Sequence, residues 1–262
     1  MIDPVSDLGW RSSHQSDKGK VRNHNEDALL DRPDLGLWAV ADGMGGHSCG
    51  DLASRMIVES LAGVQPQGES LGEVVDAIDL RLQQVHLSLQ QESRRRDGGI
   101  IGSTVAVLLA HAGHCIYLWA GDSRIYLYRR GNLKQLTRDH NQVEEQFEGT
   151  FAASHPSDAA SVANYITRAV GAGASLELDA EIIEPRSGDR FLLCSDGLNK
   201  ELTDSEIAAA LASRPLHEST ARLLDLSLER GASDNVTLIL VEAVPAPAGS
   251  NGTSHATQQR PE

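Results

Sequence analysis

The sequence predicts an α+β fold in which antiparallel strands lie between layers of helix. Two observations carry the class. Short apolar segments separated by turn residues are apolar on both alternating faces, so each face has to be covered by another layer. Four longer segments repeat apolar residues at helical spacing, and two of them open on a capping box.

The first apolar strand is 37–41 (LWAVA), and Leu52, Met56 and Ile57 then mark a helix over 50–63. Val74, Ile78, Leu82, Val85 and Leu89 form the buried stripe of a helix over 71–95, started by Ser70 and Glu73. Strands over 104–110, 114–120 and 124–128 follow one another across small polar turns and read as a meander. In the second, Cys115, Tyr117 and Trp119 face one way and Ile116, Leu118 and Ala120 the other. A strand over 190–195 is followed by a helix over 204–213, opened by Thr203 and Glu206, and by a helix over 216–230 that stops at Gly231. The last strand is 236–241.

Residues 141–165 are small and polar without a sustained period and predict a long mobile excursion. Residues 1–8 read as a loose start, and 245–262, rich in Pro, Gly, Ser and Thr, as a disordered tail. The expected organisation is one domain over 9–244.

Lys and Arg total 23 against 37 Asp and Glu, a formal net charge of −14, which disfavours nucleic acid and anionic membranes as partners. Apolar runs are strand-sized and the first residues are polar, so neither membrane insertion nor a signal peptide is expected. Cys49, Cys115 and Cys194 are far apart, which argues against a disulfide framework or a paired-cysteine zinc site and fits the cytoplasm.

The acids are the informative residues. Asp42 and Asp196 each follow an apolar strand and precede glycine, Asp122 sits in a Gly-Asp-Ser turn, Asp234 precedes the last strand, and Glu26 and Asp27 precede Leu29 and Leu30. Singly, each fits a turn. Together they are carboxylates at the edges of several strands, and gathering them while charged requires cations. Oxygen donors without a Cys or His cluster favour Mg²⁺ or Mn²⁺, and two such ions would activate a water. Arg22, four residues before Glu26, suits a bidentate grip on phosphate. The pattern alone points to a metal-dependent phosphoesterase.

The segments SDKGKVRNHNEDA, VADGMGGH, GSTVAVLL, GDSRIYLY, LTRDHN, ITRAVG, LLCSDGL and SDNVTLIL resemble, in order, the motifs of the PP2C-type (PPM) metal-dependent protein Ser/Thr phosphatases, bacterial branch. The resemblance covers about 16–241. It implies a four-layer α-β-β-α sandwich of two antiparallel sheets flanked by helices, hydrolysing phosphoserine and phosphothreonine in one step with a dimetal-activated water. By motif matching, Asp42 would bridge two core ions, and the Gly43 carbonyl and Glu26 would serve the second. Asp196 and Asp234 would bind the first, and Asp27 would orient metal-bound water. Asp122 with Asp196 would hold a weaker third ion, Arg22 would bind the substrate phosphate, and Asn235 would orient Asp234 or the phosphate. The 141–165 excursion matches the variable flap.

Many eukaryotic members carry histidine where this chain has Met44, and His47 is not assigned as the general acid. The glycines of the DGMGGH stretch suit close backbone approach to a metal rather than a phosphate-cradling loop, Arg94, Arg95 and Arg96 read as a solvated helix end, and Cys194 as a buried structural thiol. The implied partners are phosphorylated proteins and a cognate Ser/Thr kinase, acted on by a monomer. The stretch around DGMGGH also resembles phosphatases encoded with type VI secretion systems. The rivals are a phosphoprotein-binding pseudophosphatase, which would have lost metal acids, and a phosphoesterase for small phosphate esters.

Overall fold

The computed structural model describes residues 8–45, 49–96, 99–141, 166–212 and 215–246. Among these residues, eleven strands form two antiparallel sheets. The first sheet holds β1 (Leu8–Asp17), β11 (Val236–Pro245), β10 (Arg190–Cys194), β7 (Arg124–Arg129) and β8 (Asn132–Gln135), in that order. The second holds β2 (Asp27–Arg32), β3 (Leu37–Gly45), β5 (Val105–His111), β6 (His114–Ala120) and β9 (Asp179–Ile183), with the short β4 (Ile101–Ser103) on the end of β3.

The helices are α1 (Gly50–Ala62), α2 (Leu71–Arg95), the single turn α3 (Asp196–Asn199), α4 (Asp204–Leu211) and α5 (Leu216–Arg230). Both expected capping boxes form. Ser70 N–H donates to Glu73 Oε2 at 2.7 Å and Glu73 N–H to Ser70 Oγ at 3.3 Å, while Thr203 N–H donates to Glu206 Oε2 at 3.0 Å. Gly231, at φ 126°, ends α5 as expected, in a region a side chain would resist.

Three apolar interfaces make four layers. Trp38, Val40, Tyr117, Trp119, Phe191 and Ile239 meet between the sheets. Leu37, Ala39, Leu118 and Ala120 point the other way and pack on Ile57, Ile78 and Leu82 of α1 and α2. Leu192, Leu238 and Leu240 pack on Leu198, Ile207 and Leu223 of α3, α4 and α5. The two-faced strands thus have the cover their composition demands, and the four-layer sandwich is the fold. Burial pushes the Cys194 thiol up to about 12, in keeping with a structural role.

Two expectations are corrected. The three strands at 104–128 are not one meander: β5 pairs with β6, but β7 pairs with β10 and β8 in the other sheet. The outer edge of β6 is taken by β9, and Gly121, at φ 109°, carries the chain across. Asp42 does not follow β3 but lies within it, because β3 continues to Gly45 against β4, with Gly43 opposite Ser103. β1 begins at Leu8 and β11 ends at Pro245. Residues 142–165, where the excursion is expected, His47, and the tail from 247 lie outside the described residues.

Candidate active site

Antiparallel pairing gathers the acids. The start of β2 lies beside the far part of β3, so Asp27 is directly opposite Asp42. Asp122 occupies the crossing between the sheets from β6 to β7. β10 ends at Cys194, paired with Arg124 at the start of β7 and Leu238 near the start of β11, so Asp196 and Asp234 emerge at that same edge. Asp42 feels the charges of Asp27, Asp196, Asp122 and Asp234.

Close backbone approaches fix the frame. A Cβ on Gly43 would lie 2.0 Å from the Gly50 carbonyl oxygen and 2.6 Å from that of Glu26, and one on Gly197 would lie 2.0 Å from the Asn235 carbonyl oxygen. Asp42 N–H donates to Thr104 Oγ1 at 3.0 Å, and that oxygen is 2.7 Å from Ser123 Oγ. Ser195 Oγ donates to Asp27 Oδ2 at 2.8 Å and accepts from Thr237 N–H at 3.0 Å. Asn235 fastens the loop before β2: its side chain accepts from Glu26 N–H at 2.8 Å and donates to the carbonyls of Lys18 and His24 at 2.9 Å each. Its backbone N–H, rather than its side chain, bonds Asp234 Oδ1, at 2.9 Å.

Arg22 meets Asp234 through a hydrogen bond of 2.9 Å from Nη2 to Oδ2 and an ion-pair contact of 2.9 Å between Nε and Oδ1. Lys200 Nζ lies 2.5 Å from Asp196 Oδ2 and 3.3 Å from Asp234 Oδ2. Burial opposes charge on Asp234, but the Arg22 hydrogen bond and the Lys200 ammonium hold it below the ordinary carboxylate range. The other acids move the opposite way. Burial, then the charges of Asp196 and Asp234, push Asp27 up to about 7. Burial and Asp196 also push Asp122 up to about 7. Burial raises Asp196, and burial with four neighbouring aspartates raises Asp42 well above its usual value.

A hard cation fits this donor set. Oδ1 of Asp27, Asp122 and Asp196 are buried with no hydrogen-bond partner, an arrangement that is costly unless a ligand uses those oxygens. Among the described residues no three His, Cys, Asp or Glu side chains already converge as ligands of one ion.

These shifts set a pH dependence. A carboxyl whose folded pKa exceeds its unfolded value of roughly 4 stabilises the fold at low pH, and that stability is lost as pH rises through its folded pKa. With EDTA present, the thermal midpoint is expected to fall between pH 5 and pH 8, by up to about 1.4 kcal/mol of stability per pH unit for each such group. With saturating Mn²⁺ the slope should reverse, since protons and metal compete for the same oxygens. Parallel melting curves under the two conditions would contradict this account of the acids.

The candidates named from the sequence, Arg22, Glu26, Asp27, Asp42, Gly43, Asp122, Asp196, Asp234 and Asn235, lie at one edge of the sandwich. Lys200, Ser195, Thr237 and Thr104 were not among those candidates. Lys200 alone had a readable signal, standing four residues after Asp196.

Residues 15–239 match the family described as protein phosphatase 2C. The chain belongs to that family. It is 35% identical over 245 residues to the serine/threonine protein phosphatase PstP of Mycobacterium tuberculosis, covering 90% of this chain and 46% of PstP, so it spans about half the length of that relative. It is 32% identical over 242 residues to the serine/threonine phosphatase stp of Listeria monocytogenes, covering 87% of this chain and 94% of stp. Among solved structures, PppA, described as a key regulatory component of T6SS in Pseudomonas aeruginosa, superposes with a TM-score of 0.82 at 43% identity, covering 89% of this chain and 97% of PppA. The catalytic domain of PstP, in complex with two manganese ions, superposes with a TM-score of 0.79 at 33% identity, covering 91% of this chain and all of that one.

Proposed function

We propose that this chain is a metal-dependent protein Ser/Thr phosphatase that opposes a bacterial Ser/Thr kinase. The reading rests on the buried, unpartnered carboxylate oxygens of Asp27, Asp122 and Asp196, set beside Asp42, Asp234 and Arg22. Two Mn²⁺ or Mg²⁺ ions, when bound, would lower the pKa of a shared water and neutralise phosphate oxygens. Asp42, Asp196 and Asp234, with Glu26 and the Gly43 carbonyl, are the residues to hold them, and Asp122 with Asp196 a weaker third. Asp27, anchored by Ser195, would orient water. Retention of every matched acid argues against a pseudophosphatase.

The PppA likeness supports a role alongside a type VI secretion system. Its net charge of −14 fits protein rather than nucleic-acid substrates. No helix among the described residues is long and apolar enough to cross a membrane.

The deciding experiment is turnover of a phosphothreonine peptide with Mn²⁺, with EDTA, and beside a panel of small phosphate esters. Peptide turnover that EDTA abolishes is the expected result. Binding without turnover would indicate a pseudophosphatase, and turnover confined to small esters a different phosphoesterase.

Arg22 would take the substrate phosphate in its guanidinium fork. Its side chain is half exposed, so its pairing with Asp234 adds little to stability. Arg22→Ala is expected to lower kcat/KM about ten- to hundredfold, the loss of one charge-assisted interaction of roughly 1.5–3 kcal/mol. The thermal melt should stay near wild type. Unchanged kinetics would remove Arg22 from the site.

A further inference from the structure

Lys200 caps the single turn α3, and its backbone N–H donates to the Asp196 carbonyl at 2.9 Å. The short turn sends the side chain back over its own start, where Nζ reaches Asp196 Oδ2 at 2.5 Å and Asp234 Oδ2 at 3.3 Å. One ammonium therefore joins an acid after β10 to an acid before β11, the two proposed to share one metal ion. A carboxylate oxygen that accepts from an ammonium at this distance has its lone pair engaged, and a cation approaching the same oxygen meets a like charge. Arg22 takes both oxygens of Asp234 from another side, so Lys200 is the group that couples Asp234 to Asp196. Its side chain is about two-fifths exposed, which leaves it room to swing outward.

We infer that Lys200 is a built-in competitor for the Asp196–Asp234 metal position: it holds the two acids together when no metal is present and must leave as the ion enters. Lys200 is thus a positioning residue that sets the metal concentration at which the site assembles, not a catalytic one. The inference rests on the proposed metal reading of these acids, and the experiment separates the two.

Mn²⁺ alone is the probe, titrated by calorimetry into EDTA-stripped, dialysed protein. Lys200→Met removes the charge while keeping the stem, and it is expected to bind Mn²⁺ about tenfold more tightly than wild type, the scale of one charged hydrogen bond. In EDTA, at pH 8, the same variant should melt at a lower temperature, because Asp196 and Asp234 lose their shared counter-charge. Lys200→Arg should stay within a few-fold of wild type. The wild-type protein gives a second readout that does not depend on any variant folding: acylation of Lys200, followed by mass spectrometry, should rise several-fold when Mn²⁺ is added. Equal or weaker Mn²⁺ binding by Lys200→Met, or Lys200 acylation that is unchanged or falls, would overturn the inference while leaving the metal site intact. Failure of the wild type to bind Mn²⁺ at all would overturn both readings.

Discussion

Asp42→Asn is expected to lower phosphopeptide turnover by about a hundredfold or more, the scale of losing one group that organises charge in a transition state. Asp42 is opposite Asp27 in the β2–β3 ladder, and its carboxyl feels four other aspartates. An asparagine keeps the shape and leaves the bond from the backbone N–H to Thr104 in place. What it removes is the negative charge that would pull cations to the centre of the acid set. The substitution should therefore stabilise the EDTA-treated protein at pH 8, where the acids repel one another, while it weakens Mn²⁺ binding. Opposite movements of melting temperature and activity distinguish loss of a metal ligand from loss of structure. Asp122→Asn should cost less, because Asp122 sits on the crossing between the sheets and is matched to the weaker third ion. Kinetics with a phosphothreonine peptide and Mn²⁺ calorimetry on both variants test the division, and equal losses of metal binding would count against it.

The parts of the fold legible in the sequence are those whose neighbours are apolar. β3, β5, β6, β7, β10 and β11 are buried on both faces, and α2 carries a continuous stripe from Val74 to Leu89, so composition and period announce them. β1 is not read as a strand from the sequence. Its ten residues pair along the whole of β11, yet its middle is Ser12, Ser13, His14, Gln15 and Ser16. It is an edge strand held by the ladder and by polar contacts such as Ser13 to Thr220 at 3.0 Å and Ser16 to Thr237 at 2.7 Å, so no apolar alternation marks it. β8 and β9 are edges too and were missed for the same reason. The crossing at Gly121 was unreadable because a two-residue turn within a sheet and a step between sheets use the same residue types. In the site, the acids were legible because carboxylates at several strand ends have few other uses. Ser195, Thr237 and Thr104 were not, since their roles depend on which strand the register sets beside them.

Gly43→Ala is expected to cost about 3 kcal/mol of stability or more, beyond the usual range for one added methyl group in a core. The added Cβ would lie 2.0 Å from the carbonyl oxygen of Gly50 and 2.6 Å from that of Glu26, against roughly 3.4 Å for ordinary contact. Both obstacles are backbone, so no side chain can turn aside. Gly50 opens α1, and a Cβ there would in turn lie 2.7 Å from the Gly43 carbonyl oxygen, so strand and helix touch through a pair of glycines. Relief requires α1 to shift away from β3, although Ala53, Ile57 and Leu61 pack it against the sheet. It also stretches the 3.1 Å bond from Gly43 N–H to the Glu26 carbonyl, which ties the loop carrying Arg22 to the strand carrying Asp42. Mn²⁺ affinity should therefore fall along with stability, although no carboxylate has been removed. Gly72→Ala is the control: it lies in α2, with nothing within 4 Å of its added Cβ, and should stabilise the protein by about 0.5 kcal/mol. Urea unfolding and Mn²⁺ titration of the two variants provide the measurement. A Gly43→Ala protein as stable as wild type and equally able to bind Mn²⁺ would show that the close approach of β3 and α1 does not hold the site in place.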